Sequence, residues 1–120
     1  MEESILISIK KLLGLDAEYT AFDEDVKIHI NTVLGILFQM GLGETPLVIR
    51  DDSTTWSDLI ASETQLEIIK TFIYMRVRMM FDPPSSSSLA TAMDATIKEL
   101  EYRVYIIIND YYPEDSEGGA

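Results

Sequence analysis

The sequence contains no cysteine, which excludes disulfides, thiolate metal sites and thiol nucleophiles. Histidine occurs once, at His29, and lysine and arginine together number nine against 21 acids, for a formal net charge of −12. A surface so poor in cations lacks the basic footprint that a phosphate backbone requires, so direct nucleic-acid binding is disfavoured. No apolar run approaches the roughly 18 residues that would span a bilayer. The opening Met1-Glu2-Glu3 has no basic segment of the kind that begins a secretory signal. The expectation is a soluble protein made inside the cell. There is no internal repeat, and no HExxH, glycine-rich phosphate loop or nucleophile elbow.

What is present is the raw material of a helical domain. At 120 residues, 47% hydrophobic and 25% charged, the chain suits one ordinary globular core. Ile5, Leu6, Ile9, Leu12 and Leu13 predict a helix over Glu2–Leu13, ended by Gly14, with Glu2 and Glu3 at the positive end of its dipole. After a loop at Leu15–Ala21, Val26, Ile30, Val33, Leu34 and Leu37 form one stripe of a second helix, Phe22–Met40. Asp23 stands four residues before Lys27 in the favoured acid-then-base order. Gly35, inside that helix, suggests a close neighbour, and Gly41-Leu42-Gly43 ends it.

Pro46 breaks the helical pattern, so 44–55 is expected to be irregular or a short strand, with Leu47–Arg50 extended and Asp51–Ser53 turning. A short helical turn at Trp56–Ile60, capped by Thr55, follows. Thr64 and Glu67 match a capping box for a third helix reaching Phe81, with Leu66, Ile69, Phe72, Ile73, Val77 and Met80 inward. Pro83-Pro84 stops it, and Ser85–Ser88 link to a last helix, Ser88–Tyr111. That helix carries Leu89, Met93, Ile97, Leu100, Val104, Ile107 and Ile108 on one stripe, and the pairs Asp94–Lys98 and Glu99–Arg103. At 24 residues it would extend about 36 Å, more than a small core needs. The expected architecture is all-α: a bundle of four main helices over 1–112, then a disordered acidic tail, 113–120.

Few side chains offer chemistry. His29, beside an apolar stripe, has no obvious partner and reads as a packing residue. Asp23, Glu24 and Asp25 are neighbours on a helix and face different ways, so they form a solvated helix start and not a metal cluster. No catalytic, metal or cofactor residue is assigned. The candidates that remain are interface residues. Arg76 and Arg78 diverge by roughly 200° around their helix, so one of them could meet a neighbouring carboxylate. Met75, Met79 and Met80 beside them fit either a core or a partner-facing patch. Trp56, with Leu59 and Ile60, either lids the core or anchors an interface. Tyr102, Tyr105, Tyr111 and Tyr112 extend past any plausible core, a surplus that favours contact with another chain.

Taken in order, several segments make the chain similar to the head–tail connector (adaptor) family of tailed bacteriophages. They are Ile9–Asp16 with Phe22-Asp23, then His29-Ile30-Asn31, Gln39–Gly43 and Trp56–Ile60. The most telling is Tyr74-Met75-Arg76-Val77-Arg78-Met79-Met80-Phe81-Asp82-Pro83-Pro84 with the serines behind it. The last is Lys98–Arg103, where Tyr102 replaces the tryptophan that similar proteins often carry before arginine. The resemblance implies a non-enzymatic virion protein without cofactors, made in the host cytoplasm. It would assemble with itself as a dodecameric ring at the head–tail junction. Its partners would be the portal protein and a downstream connector, stopper or tail-completion protein. DNA would pass through the ring without specific binding, and no membrane is involved. The interface residues that follow are Trp56, Arg76, Arg78, Phe81, Asp82, Arg103, Tyr105, Tyr111 and Tyr112. The acidic surface then suits a channel wall, and the last helix and tail would dock on the portal. Two other functions compete: an acidic regulator or DNA mimic, and a small helical enzyme gripping carboxylates with Arg76 and Arg103.

Overall fold

The computed structural model describes residues 2–111. The expected tail at 113–120, and Tyr112, lie outside them. The described chain is an all-helical bundle. Its elements are α1 (Ile5–Leu12), α2 (Asp23–Met40), a 3₁₀ turn at Trp56–Asp58, α3 (Glu63–Phe81) and α4 (Ser87–Tyr111). Helix α3 lies between α2 and α4, and α1 packs on α2.

Each helix buries the stripe its sequence sets. Val26, Ile30, Val33, Leu34 and Leu37 of α2 are all buried, as are Leu66, Ile69, Phe72, Ile73 and Val77 of α3. The stripes fade at their ends, where no neighbouring element covers them: Leu12, Met80 and Leu89 are 47%, 41% and 50% exposed. Gly41 ends α2 at φ 114, a left-handed conformation that glycine adopts without strain. A β-carbon there would lie 3.2 Å from Ile108 of α4, so the same glycine lets two helices approach. Gly35 proves different from expectation, since a β-carbon there would meet nothing within 4 Å.

Helix starts differ most from the sequence reading. α1 begins at Ile5, and Ser4 is its cap, with Oγ accepting from the Ile7 N–H at 3.2 Å. Glu2 and Glu3 therefore precede the helix. For α3 the cap is Ser62 and no side chain closes it, so Thr64–Glu67 is no capping box. The reciprocal box stands instead at Thr55, whose N–H donates to Asp58 Oδ2 at 2.9 Å. Ser86 Oγ caps α4 by accepting from the Leu89 N–H at 3.3 Å.

The segment 44–55 forms no strand. It is irregular chain pinned to the body at three places. Asn31 binds Ile49 through both halves of its amide, accepting from the Ile49 N–H at 2.8 Å and donating to the Ile49 carbonyl at 3.0 Å. Lys27 Nζ donates to the Arg50 carbonyl at 3.0 Å. An isolated antiparallel bridge joins Thr55 to Ser4, with the Ile5 N–H donating to the Thr54 carbonyl at 2.9 Å. These contacts satisfy backbone groups that burial of Ile49 would otherwise strand.

Candidate functional site

The predicted interface residues separate into three groups once placed. Trp56 belongs to the core. Its side chain is fully buried, its Nε1–H donates to Ser8 Oγ at 3.0 Å, and Lys70 Nζ stands 5.6 Å from its ring centre. No face of the indole is left for a partner, with Ser8 of α1 and Lys70 of α3 both against it.

The second group sits at the end of α3. Arg78 turns toward its own helix end, with Nη1 donating to the Tyr74 hydroxyl and Nε to the Asp82 carbonyl, both at 3.4 Å. Arg76 lies 5.6 Å over the Phe72 ring and borders a shallow groove shared with Asp94 and Ile97 of α4. Arg103 is on the outer face of α4, where Nε meets Glu99 at 2.8 Å. Arg76 and Arg103 thus face different surroundings and do not make the paired carboxylate grip that an enzyme of that kind would need.

Phe81 and Asp82 help line an open hollow of about 600 Å³ where α1 ends, α2 begins and α3 ends. Leu13 and Leu15 form one wall, Phe22 and Met80 others, and Asp25, His29 and Asp82 bring polar groups. Phe81 meets Phe22 edge-to-face at 5.4 Å and His29 at 6.4 Å between ring centres. His29 is therefore half-buried beside phenylalanine, a packing position. The sequence did not single out this hollow, since its residues come from three separated stretches.

The chain beneath the hollow is fixed by a buried ion pair. Lys10, 1% exposed, holds Asp23 at 2.8 Å and donates to the Ala17 carbonyl at 3.0 Å. Asp23 is thus the partner of Lys10 rather than of Lys27, which pairs with Glu24 at 2.7 Å. The contact joins the end of α1 to the start of α2 across the intervening loop.

The third group is the outer face of α4. Tyr102, Tyr105 and Ile106 are 60%, 55% and 37% exposed, while Val104, Ile107 and Ile108 of the same turns are buried. At about 100° per residue, the exposed set falls opposite the buried one. Tyr111 closes α4. Among the described residues no helix is long and apolar enough to cross a membrane, and no group of three or more His, Cys, Asp or Glu side chains could hold a metal ion.

The body is tightly packed, the arginines do not converge, and the outer face of α4 exposes Tyr102, Tyr105 and Ile106 among charged residues. The family model described as phage connector protein matches residues 5–110. The chain belongs to that family, and its role is that of a connector between phage head and tail. No curated protein and no solved structure matches it.

Proposed function

We infer that the chain is the subunit of a ring seated beneath the portal, which extends the DNA channel and joins the capsid to the tail. Family membership supports the connector role, and the observation that carries the finer reading is the two-faced last helix. Its 25 residues extend about 37 Å, and its inner face completes the core while Tyr102, Tyr105 and Ile106 face outward. Large amphipathic rings at this position suit docking on another protein, where they bury much area at little conformational cost. The charge of −12 lets DNA pass without capture, since a wall lacking cations releases no condensed counterions. The dodecameric ring, the portal contact and the downstream stopper or tail-completion contact are all parts of this reading.

Electron microscopy of purified particles, with the chain labelled, is its test. The label should appear as a ring between portal and tail, and particles lacking the chain should carry filled heads without tails. Particles free of the chain, or a label elsewhere in the virion, would overturn the reading.

A further inference from the structure

We propose that the hollow between the α1 exit, the α2 start and the α3 end is a docking site for an arginine- or lysine-bearing apolar segment of a different, basic protein chain. The inference rests on the connector reading, because it names the chemistry of one contact that a connector makes.

The walls supply the apolar part. Phe22, 40% exposed, and Phe81 offer two aromatic rings to the same space, and aromatic faces attract a guanidinium or ammonium as well as an alkyl stem. The rim supplies charge of one sign. Asp25 and Asp82 border the hollow and no lysine or arginine does. Among the described residues neither carboxylate is in an ion pair. Arg78, the nearest cation in sequence to Asp82, is turned to the Asp82 carbonyl and the Tyr74 hydroxyl. A cationic side chain entering here would lay its stem on Phe22 and Phe81 and bring its head to two unmatched carboxylates.

The chain's own cations argue against a second copy as occupant. Lys10, Lys27, Lys70, Lys98 and Arg103, five of nine, already meet carboxylates. Arg76 lies over Phe72 and Arg78 is engaged as above. Only Lys11 and Arg50 have no such contact among the described residues, so a second copy has few free cations to bring to this hollow. A partner of opposite charge fits both the site and the whole surface.

His29 lines the hollow and is the chain's one histidine, so its imidazole proton signals report on the site alone. The probes are the blocked tripeptides acetyl-Leu-Arg-Phe-amide and acetyl-Leu-Glu-Phe-amide, titrated into the full chain up to about 10 mM, which registers a millimolar Kd. The arginine peptide should shift the His29 signals saturably, with the glutamate peptide at least about tenfold weaker. Asp25→Lys and Asp82→Lys, both at exposed positions, should each weaken the arginine peptide by about tenfold with the helical circular dichroism unchanged. Equal response to both peptides, no response, or binding unaffected by either variant overturns the site. So does a His29 shift that follows concentration of the protein alone, which would assign the hollow to a second copy. Locating the chain in purified particles separates the two readings. If the peptides fail but the chain is found at the head–tail junction, only the docking site falls. If it is missing there, the connector reading falls with it.

Discussion

The body of the molecule and its last helix are held by different forces. In the body, polar contacts cross long stretches of chain: Asn31 to Ile49, Lys27 to Arg50, Trp56 to Ser8 and Lys10 to Asp23. Among the described residues the side-chain hydrogen bonds and ion pairs of α4 are all local, as in Lys98–Asp94, Arg103–Glu99, Thr96 to the Ala92 carbonyl and Asn109 to the Tyr105 carbonyl. Among the described residues only apolar packing ties α4 to the rest, chiefly along α3 and where Ile108 meets Gly41. Directional contacts fix one arrangement, whereas apolar packing tolerates sliding and repacking. The body is held in one arrangement by directional contacts, and α4 completes the core while presenting Tyr102, Tyr105 and Ile106 outward.

Breaking the body should therefore be severe, and most severe at Trp56. Trp56→Ala removes the largest buried side chain and should destabilise the chain by about 3–5 kcal/mol, read as a lowered urea midpoint. Next is Lys10→Met. It leaves Asp23, a quarter exposed, without its partner, at a cost of about 2–3 kcal/mol, below the range for fully buried pairs. Lys10→Met with Asp23→Leu should recover most of that loss, and a double variant as unstable as the single one would show that the pair is not what matters. Asn31→Ala strips both partners from the Ile49 backbone and should cost about 1–3 kcal/mol, with faster exchange of the Ile49 amide hydrogen. Unchanged protection of that amide would mean that the 44–55 segment is held by packing alone.

The smallest effect is expected at exposed Asp51. The Ser53 hydroxyl, and then the Ser53 N–H, hold its carboxyl below the ordinary value. Because the folded value is the lower one, the turn is fully supported above the usual carboxyl range and loosens as pH falls through the lowered value. Amide exchange at Ser53, corrected for its intrinsic pH dependence, should rise on acidification, and Asp51→Asn should remove that dependence.

Local signals made the helices legible. The stripes of α2 and α3 could be read because a helix must turn one face to the core, and Gly14 and Gly41 marked ends because their φ values of 85 and 114 suit glycine. Starts were less legible. Thr55 caps its turn as its position predicts, but Ser4 and Ser62 compete with Thr64 and other hydroxyl residues nearby, and tertiary contacts decide which one caps. Long-range pins were invisible. Nothing local distinguishes Asn31 from a surface amide, or says that Lys10 will take Asp23 away from Lys27. Trp56 carried a signal for burial and one for an interface, and only its contacts with Ser8 of α1 and Lys70 of α3 decided between them. The helix α4 does not outrun the core at Tyr102 and Tyr105, since Val104, Ile107 and Ile108 of the same turns are buried. Its exposed rings were legible because they fall opposite that buried stripe. The hollow was not, since it exists only when three distant segments meet.

The most direct test of the contrast is the double variant Tyr102→Ser/Tyr105→Ser, in the purified chain and in phage lacking its own copy. Exposed substitutions of this kind move stability by no more than about 0.5 kcal/mol, so the urea midpoint should stay close to that of the parent while the variant fails to join heads to tails. Normal tailed particles made with the variant, or a chain unfolded by it, would contradict the division between a body that holds shape and a last helix that makes the contact.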